Sequence, residues 1–210
     1  MRNARTVIQS LTLFVLIFCG NSPVHGQEFI KAVGQTYYLD LDTKESEFSV
    51  WRLDDLGALT ALHASIKIPA IRKDPKWAPD FFILLCSGDQ SAYRDVGVRL
   101  ITWQGASPLT IEVVQNLADG SLVTQYRVGK TLELNEKIDI EMDWSTPGTV
   151  TIKIGASSYS LKIPSQIEHV QISSSTGELI IDPLVIGSFK HKNSLTPHTL
   201  LKSIFHGFKR

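Results

Sequence analysis

Apolar and polar residues alternate with a period of two along much of this chain, most clearly between residues 133 and 163. Ile138, Ile140, Met142 and Trp144 interleave with Asp139, Glu141 and Asp143, and a Ser145-Thr146-Pro147-Gly148 turn follows. Val150, Ile152 and Ile154 then alternate with Thr151 and Lys153, and Gly155 leads into Tyr159, Leu161 and Ile163. Successive side chains of a strand point to opposite faces, so each segment predicts a strand with one buried and one wet face. Pro and Gly at the breaks keep the connections tight, which predicts an antiparallel meander.

The pattern recurs outside this stretch. Strands are expected over residues 37–41, 48–53, 59–68, 81–86, 96–103, 109–116, 122–128, 138–144, 149–154, 159–163, 170–173 and 179–186. Turn chemistry separates them: Asp54-Asp55-Leu56-Gly57, Ser87-Gly88-Asp89, Gly105-Ala106-Ser107-Pro108, Ala118-Asp119-Gly120-Ser121, and the stretch from Ser173 to Gly177. About a dozen short strands with regular turns predict an all-β fold, a two-sheet antiparallel jelly-roll sandwich. The rhythm pauses between Pro69 and Pro79, where a polar, Pro-rich loop carries Trp77. Long loops on a rigid sandwich are common carriers of binding residues.

The two ends differ from the body. Arg2 and Arg5 precede an apolar run from Leu11 to Phe18, and Val24-His25-Gly26 supplies small residues where a leader peptidase cuts. Residues 1–26 therefore read as a secretory signal peptide, cleaved near Gly26, with a secreted or periplasmic product. The run is far short of the roughly 20 residues that span a bilayer. Residues 27–187 form the sandwich domain and residues 188–210 a basic tail. In that tail Thr196 and Pro197 suit a helix start, and Leu200, Leu201, Ile204, Phe205 and Phe208 fall on one helical face. A short C-terminal helix is expected, either docked on the sandwich or offered to an anionic membrane or a partner.

Charge and cysteines narrow the function. Of 21 basic residues two lie in the leader and five in the tail, so the body holds 14 against 21 acids. An acidic body argues against nucleic acid as its partner. Only Cys86 remains after cleavage, so no internal disulfide staples the domain. Its setting after Phe81-Phe82-Ile83-Leu84-Leu85 suits a small buried hydrophobe in a central strand.

From Phe48 to Gly187 the pattern resembles the concanavalin A-like lectin/glucanase superfamily, especially its laminin G-like branch. The residues that carry the resemblance are Phe48-Ser49-Val50-Trp51, the stretch 59–68, the meander 138–154, and the closing strand from Gly177 to Gly187. The resemblance implies two stacked antiparallel sheets, binding of sugars or proteins, and in some members a calcium at the rim. Glucanases of this kind carry Glu-x-Asp-x-(x)-Glu on an inner strand. Here Lys137 stands where the first Glu belongs in Lys137-Ile138-Asp139-Ile140-Glu141. Retaining hydrolysis needs two carboxyls with separate roles, and this string lacks one.

The leading expectation is a secreted, non-enzymatic binding domain for carbohydrate or an extracellular protein. Trp77, Tyr93 and Trp103 are the aromatic candidates for stacking on a sugar, with Arg94 and Asp95 as hydrogen-bonding neighbours. Two alternatives stand beside it. One is a glycoside hydrolase or polysaccharide lyase using Asp139, Glu141 and Asp143; against it, those acids suit a solvated strand face, with Lys153 across the hairpin as an ion-pair partner. The other is an envelope protein-interaction module. No cofactor is expected. Asp40, Asp42, Asp54, Asp55 and Asp89 are the oxygen donors that calcium would use, without the spacing of a contiguous calcium loop.

Overall fold

The computed structural model of the chain describes residues 34–45, 47–74, 77–87, 95–102, 106–117, 121–163 and 166–188. The leader, the tail helix expected over 196–208, and Tyr93, Arg94, Trp103 and Asp89 lie outside the described residues.

Among the described residues twelve strands follow one another: β1 (Gln35–Asp42), β2 (Phe48–Leu53), β3 (Ala61–Ile71), β4 (Asp80–Ser87), β5 (Asp95–Ile101), β6 (Leu109–Asn116), β7 (Leu122–Leu132), β8 (Lys137–Asp143), β9 (Thr149–Ile154), β10 (Ser157–Lys162), β11 (Ile167–Ser175) and β12 (Gly177–Gly187). Each coincides with an expected strand. They form two six-stranded antiparallel sheets, ordered β1-β12-β3-β8-β9-β10 and β2-β11-β4-β5-β6-β7. Among the described residues there is no helix long and apolar enough to cross a membrane.

The period-two pattern builds the core. β3 turns Leu62, Ala64, Ile66 and Ile68 inward, and β8 adds Ile138, Ile140 and Met142. The second sheet answers with Phe81, Ile83 and Leu85 of β4, Val96, Val98 and Leu100 of β5, and Ile111 and Val113 of β6. These side chains and their neighbours form one continuous buried cluster between the sheets. Burying each of the larger ones contributes about 1.5–3 kcal/mol relative to exposure. Trp51 joins the cluster from β2, packed edge-on against Tyr37 at 5.2 Å. The meander turns are made at Gly148 (φ 73°) and Gly155 (φ 58°), left-handed positions where a residue without Cβ meets no steric cost.

Several boundaries depart from the expected ones, β7 for instance running on to Leu132, and two of them carry a physical reason. β3 continues through Pro69 to Ile71. Its pairing with β8 ends at Lys67, so Pro69, which has no N–H, falls beyond that ladder. β11 likewise runs to Ser175, through residues that read as a turn. Ser173, Ser174, Ser175 and Thr176 are buried, and local bonds satisfy part of their polarity. Ser174 Oγ donates to the Gly177 carbonyl at 3.1 Å, and Thr43 Oγ1 donates to the Ser174 carbonyl at 3.3 Å.

Candidate functional site

The second sheet has an outward face with unusual content. Register places Ser173 of β11, Phe82 of β4, Arg99 of β5, Glu112 of β6 and Arg127 of β7 in one row across five strands. Neighbouring strands are about 4.8 Å apart, so the row is roughly 19 Å long. Odd-numbered residues of β4 and even-numbered residues of β5 face the core, which turns Phe82 and Arg99 away from it. On β6 the inward set is Leu109, Ile111 and Val113, so Glu112 also faces outward.

Arg99 is held from two sides. Its Nε donates to both Asp80 oxygens at 3.0 Å and its Nη2 donates to Oδ2 at 2.6 Å. Its guanidinium carbon lies 5.3 Å from the centre of the Phe82 ring, within cation–π range. The remaining nitrogen, Nη1, is 3.7 Å from Glu112 Oε2. On the other side Arg127 Nε is 3.7 Å from Glu112 Oε1. Asp80, Arg99, Glu112 and Arg127 thus form a row of alternating charge. Burial raises the Asp80 pKa above its ordinary value, and the Glu112 charge adds to that while Arg99 opposes it.

Glu112 is the most constrained of the four. Its side chain is 0% exposed, and neither oxygen receives a hydrogen bond. A buried carboxylate is costly unless charges and donors compensate it. Here the charges are present at 3.7 Å and the donors are missing. Beside it on the same face Leu84, Cys86 and Val114 form a second, small apolar cluster against Phe82. Cys86 is buried in a central strand, as expected, though on the outward side of the sheet.

The residues singled out from sequence do not gather into one site. Trp77 lies in the β3–β4 loop with 47% of its surface exposed, its backbone N–H bonded to Asp74 Oδ1 at 3.0 Å. That loop opens into the Asp80 end of β4. Asp95 begins β5 at the opposite end of the sheet, six residues from Ile101 and so about 20 Å away along the strand.

The three acids of β8 stand on the outward face of the first sheet, across the core from the charged row. Glu141 pairs in register with Lys153 and lies 3.9 Å from its Nζ, the ion pair expected across that hairpin. Asp139 Oδ1 is 3.8 Å from His63 Nε2, and Asp143 Oδ1 accepts the Ser145 N–H at 2.8 Å. Burial raises the Glu141 pKa, with Lys153 and His63 opposing. Of the calcium candidates, Asp42 pairs with Arg72 at 2.6 Å and Asp54 with Arg52 at 2.5 Å. Among the described residues no three His, Cys, Asp or Glu side chains are placed to hold a metal.

Sequence reasoning passed over Asp80, Phe82, Arg99, Glu112 and Arg127. The signal was present: Arg99 and Glu112 each interrupt an apolar strand, in Val98-Arg99-Leu100 and Ile111-Glu112-Val113. Opposite charges inside successive apolar strands pair whenever the hairpin register brings them level.

No protein-family model and no curated protein matches the sequence. Solved structures match its fold. A prokaryotic β-1,3-1,4-glucanase (lichenase) derived from a mouse hindgut metagenome is similar with a TM-score of 0.50 at 9% identity, over 72% of this chain and 80% of that one. Galectin LEC-6 of Caenorhabditis elegans gives 0.47 at 10% identity, over 70% and 95%. Lactose- and MES-liganded congerin II gives 0.47 at 8%, over 66% and 99%. The chain shares its two-sheet jelly-roll fold with the glucanase. At such identities the likeness concerns the fold and leaves the chemistry to the site.

Proposed function

We propose that this chain is a secreted, non-enzymatic carbohydrate-binding domain whose ligand lies on the outward face of the second sheet, over Phe82, Arg99, Glu112 and Arg127. The observation that carries the reading is the charged row itself. Three ionisable side chains, Asp80, Arg99 and Glu112, are held on a largely buried sheet face, where apolar residues would be the cheaper filling, and the exposed Arg127 stands beside them. Ligand sites combine an apolar or aromatic surface with a few precisely placed polar or charged groups that fix orientation. Arg99 is locked by Asp80 and Phe82, so its geometry is set before any ligand arrives, and Phe82 supplies the apolar surface. Secretion is inferred from the leader-like first 26 residues. The fold is one that carries both lectins and glucanases, which agrees with a sugar ligand without naming it.

A glycan array with the full secreted chain tests the reading. Binding to at least one glycan is expected. Arg127→Ala should weaken it about tenfold, the range for losing one hydrogen-bonding partner of a polar ligand group. Arg127 is 71% exposed but is one of two charges beside the buried Glu112, so binding is read on a variant shown to be folded by circular dichroism. An array on which nothing binds, with the protein folded, would sink the proposal.

A further inference from the structure

We propose that the basic tail, residues 189–210, docks on the outward face of the first sheet, with its apolar residues along β12 and its lysines against the acids of β1 and β12. This surface is separate from the charged row and needs no sugar ligand. On β12 the inward set is Leu179, Ile181, Leu184 and Ile186, which turns Ile180 and Val185 outward, half-buried. Tyr38 of β1, 39% exposed, stands beside them at a bulge opposite Asp182 and Pro183. Asp40 is level with Ile180, and Asp42 with Glu178. Asp42 is paired with Arg72, but among the described residues Asp40, Glu178 and Asp182 form no ion pair. Burial, and then the Asp40 and Asp42 charges, raise the Glu178 pKa against the pull of Arg72 and Lys67. The result is an apolar strip rimmed by acids.

The tail supplies the complement. Residues 188–210 hold five Lys and Arg and no acid, against an acidic body. In a helix over 196–208, Leu201, Ile204, Phe205 and Phe208 share one face. Lys202 and Lys209, about two turns apart, share a flank, and their long stems reach past the apolar face. The reach suffices. β12 ends at Gly187, level with Ala61, and Ser188 Oγ donates to the Ala58 carbonyl at 2.7 Å, so the tail leaves from the first sheet itself. Glu178 lies about 30 Å back along β12. The helix would be about 20 Å long, and the link over 189–195 adds up to about 23 Å. The other surfaces offer less. In the charged row of the second sheet Asp80 and Glu112 balance Arg99 and Arg127, and on β8 Glu141 already faces Lys153 and Asp139 faces His63.

Amide hydrogen exchange of the full secreted chain, read by mass spectrometry, tests this. Peptides from 196–208 should exchange at least about tenfold more slowly than a free peptide of the same sequence, and the protection should fall at high salt. The double variant Asp40→Lys/Asp182→Lys, at two exposed positions, should lose the protection, and so should Lys202→Glu/Lys209→Glu. Combining all four substitutions reverses both partners and should restore it. Carbodiimide coupling of the parent should join Lys202 or Lys209 to Asp40, Glu178 or Asp182 within one molecule, as a mixture of labelled and unlabelled chains would show. Four results would each overturn the proposal: free exchange of 196–208, protection that arises only on vesicles of phosphatidylcholine and phosphatidylserine, coupling between two molecules, and coupling to Asp80 or Glu112 of the second sheet. If Asp40→Lys/Asp182→Lys does not fold, exchange and coupling in the parent still decide.

Discussion

Arg99 lies between two carboxylates, one 16% exposed and the other fully buried. Arg99→Ala removes the shared counter-charge and leaves Asp80 and Glu112 on a desolvated face together. Breaking a buried pair from one side costs about 3–5 kcal/mol. Urea unfolding should show a loss of that order, and a loss under about 1 kcal/mol would mean the pair is far better solvated than its burial implies. His169 supplies a pH-dependent residue. Burial lowers its imidazole pKa below the usual 6.5, and the nearby Arg52 charge lowers it further. The unfolded chain therefore takes up the proton first. The contribution is fully present above pH 6.5 and is lost as pH falls through the lower, folded value. The raised carboxyl pKa values of Asp80, Glu141 and Glu178 act in the opposite sense, gaining stability as pH falls. His169→Gln isolates the imidazole: it should lose less stability than the parent on acidification from pH 7 to about 5. Equal losses in thermal melts at both pH values would exclude the effect.

At the scale of strands, β4 and β5 approach more closely than side chains allow. A Cβ added at Gly97 would lie 2.0 Å from the Ile83 carbonyl oxygen and 2.9 Å from the Leu84 Cα. Both neighbours are backbone, so the strands themselves must separate. Gly97→Ala should cost at least about 1–3 kcal/mol, the range for overpacking a filled interior. Because Gly97 lies next to the Arg99 row, it should also loosen the Arg99–Asp80 bond. A melting temperature equal to the parent's would show that the approach is softer than it looks. The β8 hairpin predicts the reverse. Glu141 and Lys153 are partly exposed and 3.9 Å apart, an ion pair worth about 0–1 kcal/mol. Glu141→Gln should leave stability within that range and leave glycan binding unchanged. Loss of a glycan-cleaving activity in this variant would instead support the hydrolase alternative.

At the scale of the whole molecule, both sheets are closed late in the sequence. β12 lies between β1 and β3 in the first sheet, and β11 lies between β2 and β4 in the second. Neither sheet can be completed until the last strands arrive, and both closures join residues far apart in the chain. Truncation before Gly177 should therefore abolish the cooperative fold, because β1 would lose its ladder and β3 its paired edge. Circular dichroism and dispersed amide resonances would report this directly. A truncated chain that still melts cooperatively would refute it.

The period of two along the chain decided where the strands are. Residues 48–53, 109–116 and 149–154 match the observed β2, β6 and β9 end to end, because alternation and turn residues are local properties. It also decided which side chains enter the core, as at Ile138, Ile140 and Met142. It could not decide which sheet each strand joins. β8 and β6 both alternate and both carry a central acid, yet Glu141 faces solvent on one sheet and Glu112 is buried on the other. The difference arises from neighbours: Glu141 has His63 and Lys153 across its ladders, whereas Glu112 has Arg99 and Arg127. The same reason separates Trp77 from Asp95, which are near in sequence but lie toward opposite ends of the sheet. Chain proximity is one-dimensional, and an antiparallel hairpin carries the chain from one end of a sheet to the other. The row from Phe82 to Arg127 exists only once the registers of four strands are fixed together, and those registers are set by packing the two sheets against each other.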